Sequence, residues 1–304
     1  FCIPACADGV LRISPGGKVE IIGQGCLPRG EWMWHGGQLA RDGNIYAIPA
    51  NADRVLKIDP RTDAISLIGP SFYAGLGSKW YGGITANDGS IWGVPYNAPS
   101  ALKIVPETGE VSEVGSFARG GWKWHGGARA GEYIIGIPSH AGEVLRIDPR
   151  TDEVALFGAG LECMQGKYKW GGCVVDRRGV VWAVPSDSDA VVKIVPTTGA
   201  VTVIADGELA RRLGPLWRNK WQNGVLGADG DIYCIPCDAK QVLAIHTQSE
   251  TISLLGSLPL QTKKFQGGVA APDGTIWSIP ESCEHILRIV PPCVTPAVSS
   301  AGAA

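Results

Sequence analysis

Lys79-Trp80-Tyr81-Gly82-Gly83 returns 44 residues later as Lys123-Trp124-His125-Gly126-Gly127, and this recurrence decides the fold. The same block stands upstream as Trp34-His35-Gly36-Gly37. In looser form it follows as Lys169-Trp170-Gly171-Gly172-Cys173, Lys220-Trp221-Gln222-Asn223-Gly224 and Lys264-Phe265-Gln266-Gly267-Gly268. Its aromatic residue sits at 34, 80, 124, 170, 221 and 265, in steps of 46, 44, 46, 51 and 44. Self-similarity at such a period marks an architecture assembled from stacked copies of one unit.

Three further pieces recur in fixed order around that block. An Ile-Tyr-x-Ile-Pro segment ends at Pro4, Pro49, Pro95, Pro138, Pro185, Pro236 and Pro280. A Val-Leu-Lys-Ile segment ends at Ile13, Ile58, Ile104, Ile147, Ile194, Ile245 and Ile289. A Val-x-x-Ile-Gly segment ends near Gly23, Gly69, Gly115, Gly158, Ile204 and Gly256. Each is short, rich in β-branched or aromatic residues and bounded by turn formers, so each reads as a strand. Asp42-Gly43, Asp88-Gly89, Asp229-Gly230 and Asp273-Gly274 supply the positive φ of tight hairpins. Asp59-Pro60-Arg61-Thr62-Asp63 and Asp148-Pro149-Arg150-Thr151-Asp152 end strands in proline-set turns.

Four such antiparallel strands make one blade, and a blade cannot bury both faces alone. The expectation is an all-β, seven-bladed β-propeller of four-stranded antiparallel blades, with six blades as the alternative. It would occupy residues 1–292 as a single domain, followed by a C-terminal tail at 293–304. The first blade would contribute strands two to four and the last blade strands one to three.

Composition agrees with short strands joined by turns. Gly 42 and Pro 21 are high, and charged residues at 18% are few. A formal charge of -2 argues against nucleic acid or an anionic membrane held by bulk charge. No apolar run approaches the length of a membrane span, so a soluble chain is expected. Nine cysteines, several within strands, point weakly to a reducing compartment and otherwise leave localisation unknown.

The pattern of aromatic-Gly-Gly, Asp-Gly, Ile-Tyr-x-Ile-Pro, Val-Leu-Lys-Ile-Asp-Pro and Val-x-x-Ile-Gly resembles the superfamily of NHL-repeat, gluconolactonase-type and streptogramin-lyase-like propellers. The resemblance runs from Phe1 to Val290 and implies the fold rather than one function, because these propellers serve as enzymes, scaffolds and binders. Its lactonase-type members imply a channel calcium or magnesium held by Glu, Asn and Asp. Asn51, Asn97, Asp187, Asp238 and Glu281 are the matching candidates, but they are scattered singly. No resident cofactor or metal site is otherwise expected.

The candidate binding residues share the innermost block. Lys79, Lys123, Lys169, Lys220 and Lys264 occupy one repeat position and are expected to form a cationic rim for an acidic peptide or small anion. Snorkelling over the tryptophans, with amines in solvent, is the alternative. His35, Tyr81, His125, Gln222 and Gln266 occupy the next position and should line the same rim. The repeated tryptophans themselves read as packing between blades. Cys234-Ile-Pro-Cys237 has redox or metal spacing but no helix to activate a thiol, so it reads as structural. The Asp206–Asn219 insertion, with Glu208–Leu213 as a short helix, enlarges the same face.

These features suggest a non-enzymatic binding or scaffold propeller that engages a protein partner or anionic ligand. A metal-dependent hydrolase or lyase and an architectural subunit of a larger assembly are the alternatives.

Overall fold

The computed structural model describes residues 1–204, 207–213 and 218–294. The rest of the expected tail, and parts of the Asp206–Asn219 insertion, lie outside the described residues. Two compact units are distinguished, Phe1–Lys167 and Tyr168–Ala304.

The first unit contains four antiparallel sheets. Val10–Ile13 pairs with Val19–Ile22, and a lone bridge joins Cys2 to Leu11. Three four-stranded sheets follow, opened by Trp34–Leu39, Trp80–Thr85 and Trp124–Ala130. The second unit holds two four-stranded sheets opened by Trp170–Val175 and Trp221–Leu226, and a three-stranded sheet opened by Phe265–Ala270. Among the described residues the sheets number seven, one for each copy of the Ile-Pro segment, and the chain is a seven-bladed, all-β propeller. The last sheet has the three strands expected of it, whereas the first holds two of its three, the Ile3-Pro4 copy being reduced to the Cys2–Leu11 bridge. Glu208–Leu213 forms the short helix expected of the insertion.

Burial follows the order of strands within a blade. The second strands Ile91–Pro95, Val181–Pro185 and Ile232–Pro236 are buried at every residue. The outer strand Val19–Ile22 alternates between exposed and half-buried residues, the period-2 signature of a strand with one wet face. Trp80 shows what the repeated aromatic does. It packs with Tyr46, Ile48 and Val55 of the second blade and Leu102 and Ile104 of its own, at 0% exposure. Its indole N–H donates to Ser100 O at 2.7 Å. Trp34, Trp124, Trp170 and Trp221 make the same bond to Arg54, Glu143, Ala190 and Gln241 carbonyls.

A β-bulge follows the aromatic in every one of these inner strands, as in the register shift between Trp124 and Gly127. The bulge needs a left-handed residue, supplied by Gly82 at φ 69° and, in the sixth blade, by Asn223 at φ 57°. Asparagine is the non-glycine residue that tolerates this region, which explains the looser block there.

Candidate functional site

Two residues before each repeated aromatic, the backbone enters the left-handed region again, and here no glycine is used. Trp32, Ser78, Trp122, Tyr168, Asn219 and Lys263 have φ of 53°, 51°, 46°, 50°, 47° and 52°. A bulky residue at positive φ costs on the order of 1–3 kcal/mol and persists only where its surroundings hold it. The surroundings are specific. Asn51 Oδ1 accepts the Ser78 N–H at 2.7 Å, and Asn97 Oδ1 accepts the Trp122 N–H at 3.0 Å. In the second unit Asp187 and Asp238 do the same for the Asn219 and Lys263 N–H groups, both at 2.7 Å. Four of the five oxygen-bearing residues considered for a calcium therefore serve one repeated structural task, latching a blade to its successor within each unit. Among the described residues no three of His, Cys, Asp and Glu converge as a metal cage would require.

The lysines are not where the sequence reading placed them. Lys79, Lys123, Lys169, Lys220 and Lys264 are 0–9% exposed, so they form neither a hydrated cationic rim nor solvent-tipped covers. For Lys79, Lys123 and Lys264 the physical reason is the loop that precedes the strand, which turns its carbonyls inward onto the amine. Lys123 Nζ donates to the Ala118 and Gly120 carbonyls at 2.9 Å each and to Tyr96 O at 3.3 Å. Lys264 Nζ donates to Gln261 O at 2.7 Å and Lys79 Nζ to Leu76 O at 3.2 Å. Lys220 adds a carboxylate, Asp189, at 3.3 Å. Burial lowers Lys79 and Lys123 to about 8, and it lowers Lys220 and Lys264 as well.

Met33 occupies the same position in the second blade, so methionine is a tolerated replacement. Lys123→Met therefore tests the buried charge. A lysine with a lowered folded pKa costs stability below that pKa, and the cost disappears as pH rises towards the unfolded value near 10.4. Between pH 8 and 10 the wild type should gain on the order of 2–3 kcal/mol relative to Lys123→Met, read by denaturant unfolding at both pH values. Titration of the buried thiols and tyrosines is common to both proteins and cancels. A constant difference would show that the amine is not desolvated.

The bulge position gathers chemistry in the first unit. His35 stacks on Tyr81 with ring centroids 3.8 Å apart, and Tyr81 lies 4.0 Å from His125. Trp32 extends the row beyond His35 at 6.3 Å, nearly parallel. Tyr96 packs against Tyr81 and Trp122, and Trp122 against His140. Between Trp32 and Trp122 lies a cleft of about 230 Å³, lined also by His35, Tyr81, Tyr96 and Ser78. Desolvation lowers both histidines, His125 to about 4, so the row is uncharged at neutral pH. Trp32 and Trp122 remain 56% and 41% exposed.

Of the candidate residues, then, His35, Tyr81 and His125 come together. Gln222 belongs to the second unit, where its amide donates to Asn219 Oδ1 at 2.6 Å and Ser186 Oγ at 3.2 Å. Gln266 stands exposed at the matching position of the last blade. Trp32, Tyr96 and Trp122 did not emerge from the sequence, although Trp32-Met33-Trp34 and Trp122-Lys123-Trp124 each hold a tryptophan beyond the repeat. Cys234 and Cys237 are buried free thiols. Burial pushes both up, Cys237 to about 12, which leaves them inert as expected.

A family model described as a repeat of unknown function, DUF6923, matches residues 4–148. No curated protein matches the chain significantly. Among solved structures, the chain is similar to catalytically inactive virginiamycin B lyase from Staphylococcus aureus with quinupristin, at 17% identity and TM-score 0.68. That match covers 93% of this chain and 87% of the other. A streptogramin B lyase structure matches at 15% identity and TM-score 0.67, covering 90% and 84%. The extracellular domain of the one-component system BT4673 from Bacteroides thetaiotaomicron matches at 12% identity and TM-score 0.59, covering 92% of this chain and 38% of the other. Likeness at these identities carries the fold and not the chemistry: this chain shares the fold of those lyases.

Proposed function

We propose that the chain is a non-enzymatic binding propeller whose recognition surface is the aromatic row of the first unit. The observation that carries this reading is the pair of exposed indoles, Trp32 and Trp122, held at strained left-handed positions on either side of one cleft. Ser78 fills the same position in the blade between them, so the loop does not require a ring there. Strain kept for a large exposed apolar group is the mark of a contact surface.

The ligand's charge follows from the lysines. With their amines buried, the anionic ligand expected from sequence loses its attraction, and the recognised group is uncharged with a flat face. It is carried by a free small molecule or by a partner macromolecule. No helix among the described residues is long and apolar enough to cross a membrane. A metal-dependent lyase or hydrolase would need a metal cage, and among the described residues no three of His, Cys, Asp and Glu converge as one.

Trp122→Asn is the test, because Asn219 already occupies this repeat position at φ 47° and the variant keeps the backbone. A thermal-shift panel of neutral, anionic and cationic ligands should reveal stabilisation by neutral ring-bearing compounds. At a hundredfold excess over Kd that stabilisation is about 2.7 kcal/mol. It should vanish in Trp122→Asn while the unliganded melting point stays within a degree or two. Stabilisation by anions alone, unchanged in the variant, would refute the reading.

A further inference from the structure

We infer that the cleft takes one ring of a neutral saccharide, with the rest of the chain lying along the exposed indoles. The inference rests on the aromatic row being the recognition surface and adds the class of ligand to it. It comes from what lines the cleft and from what does not.

No charged side chain lines it: the walls are Trp32, His35, Tyr81, Tyr96 and Trp122, with Ser78 and Ala50. A quaternary ammonium would be drawn by ring faces, but it would find no carboxylate to complete its neutralisation. A phosphate or uronate would find no cation, since the nearest lysines spend their donors on loop carbonyls. The ligand is therefore neutral.

A wholly apolar ligand fits poorly for a different reason. Polar atoms are interspersed among the rings: the Ser78 hydroxyl, two phenols, and imidazoles that burial keeps uncharged. A pyranose combines the two requirements. Its C–H face carries partial positive charge that suits the negative face of an indole, and its hydroxyls lie around the edge.

Size points the same way. A cleft of about 230 Å³ is smaller than the 300–1,000 Å³ or so typical of sites that engulf a drug-sized ligand. It accommodates a single ring. The indoles of Trp32 and Trp122, 56% and 41% exposed, continue the surface on either side, so neighbouring rings of an oligosaccharide would stack there.

Fluorescence titration of the full chain decides the matter. The probes are neutral hexasaccharides of β-1,4-glucose, α-1,4-glucose and β-1,4-N-acetylglucosamine, with indole and tetramethylammonium as comparators. At least one hexasaccharide should bind. Its affinity should fall tenfold or more in Trp122→Asn and in Trp32→Ser, which borrow the residues of the sixth and third blades. Trp122-dependent binding of indole or tetramethylammonium without any hexasaccharide would overturn the saccharide and leave the recognition surface standing. Binding of no probe would overturn both. Saccharide binding indifferent to both substitutions would overturn the placement in this cleft.

Discussion

Trp80→Ala should lower the unfolding free energy by about 3–5 kcal/mol, the range for truncating a large aromatic in a packed core. The side chain is wholly buried and touches two blades at once, so its removal opens a cavity that neither sheet can close by itself. Phe72 meets the indole edge-on at 5.3 Å and 84°, a contact worth a further fraction of that sum. The Ser100 carbonyl loses its donor at the same time. Trp80→Phe separates the two contributions, because Phe265 shows that a phenyl ring can fill this position. It should keep most of the packing, strand the carbonyl and cost about 1–3 kcal/mol. Denaturant unfolding of the three proteins gives the comparison. A loss below 1 kcal/mol for the alanine variant would mean that adjacent blades are not held by the repeated aromatic.

That tryptophan was legible because its chemistry is repeated in type as well as in place. Strand order, hairpin turns and the sevenfold count were readable for the same reason. The lysines repeat just as faithfully, yet their environment was not readable. Whether an amine reaches water depends on carbonyls three to five residues upstream, such as Gly120 O and Ala118 O, and a backbone acceptor leaves no mark on the sequence. The positions of Trp32 and Trp122 failed in the opposite way. Their repeat position also carries Ser78, Asn219 and Lys263, and what unites the set is a backbone angle rather than a residue type. For the oxygen-bearing residues a signal existed. Asn51, Asn97, Asp187 and Asp238 all stand two residues beyond the repeated proline, and aligning them by that proline instead of by ligand chemistry would have shown a structural role.

Asn97 is where that role and the recognition surface meet, and Asn97→Ala should cost about 2–4 kcal/mol through the buried groups it leaves unpaired. Every polar atom of this residue is engaged. Its backbone N–H donates to Ser78 O at 3.2 Å and its carbonyl accepts the Gly120 N–H at 2.8 Å. Its side chain donates to Gly77 O at 3.0 Å and accepts the Trp122 N–H at 3.0 Å. Alanine keeps the first pair and abolishes the second, so the loop before Trp122 loses the bond that holds a bulky residue at φ 46°. Asn97→Asp should behave differently. The acceptor survives, as Asp187 and Asp238 demonstrate two and three blades on, and only the bond to Gly77 O is lost. Amide hydrogen exchange at residue 122 reads the difference directly: protection should fall at least tenfold in the alanine variant and hold in the aspartate. If the Trp122 amide exchanged at the wild-type rate in Asn97→Ala, the indole would be positioned by something other than the blade-to-blade latch, and the strain at that residue would no longer speak for a binding role.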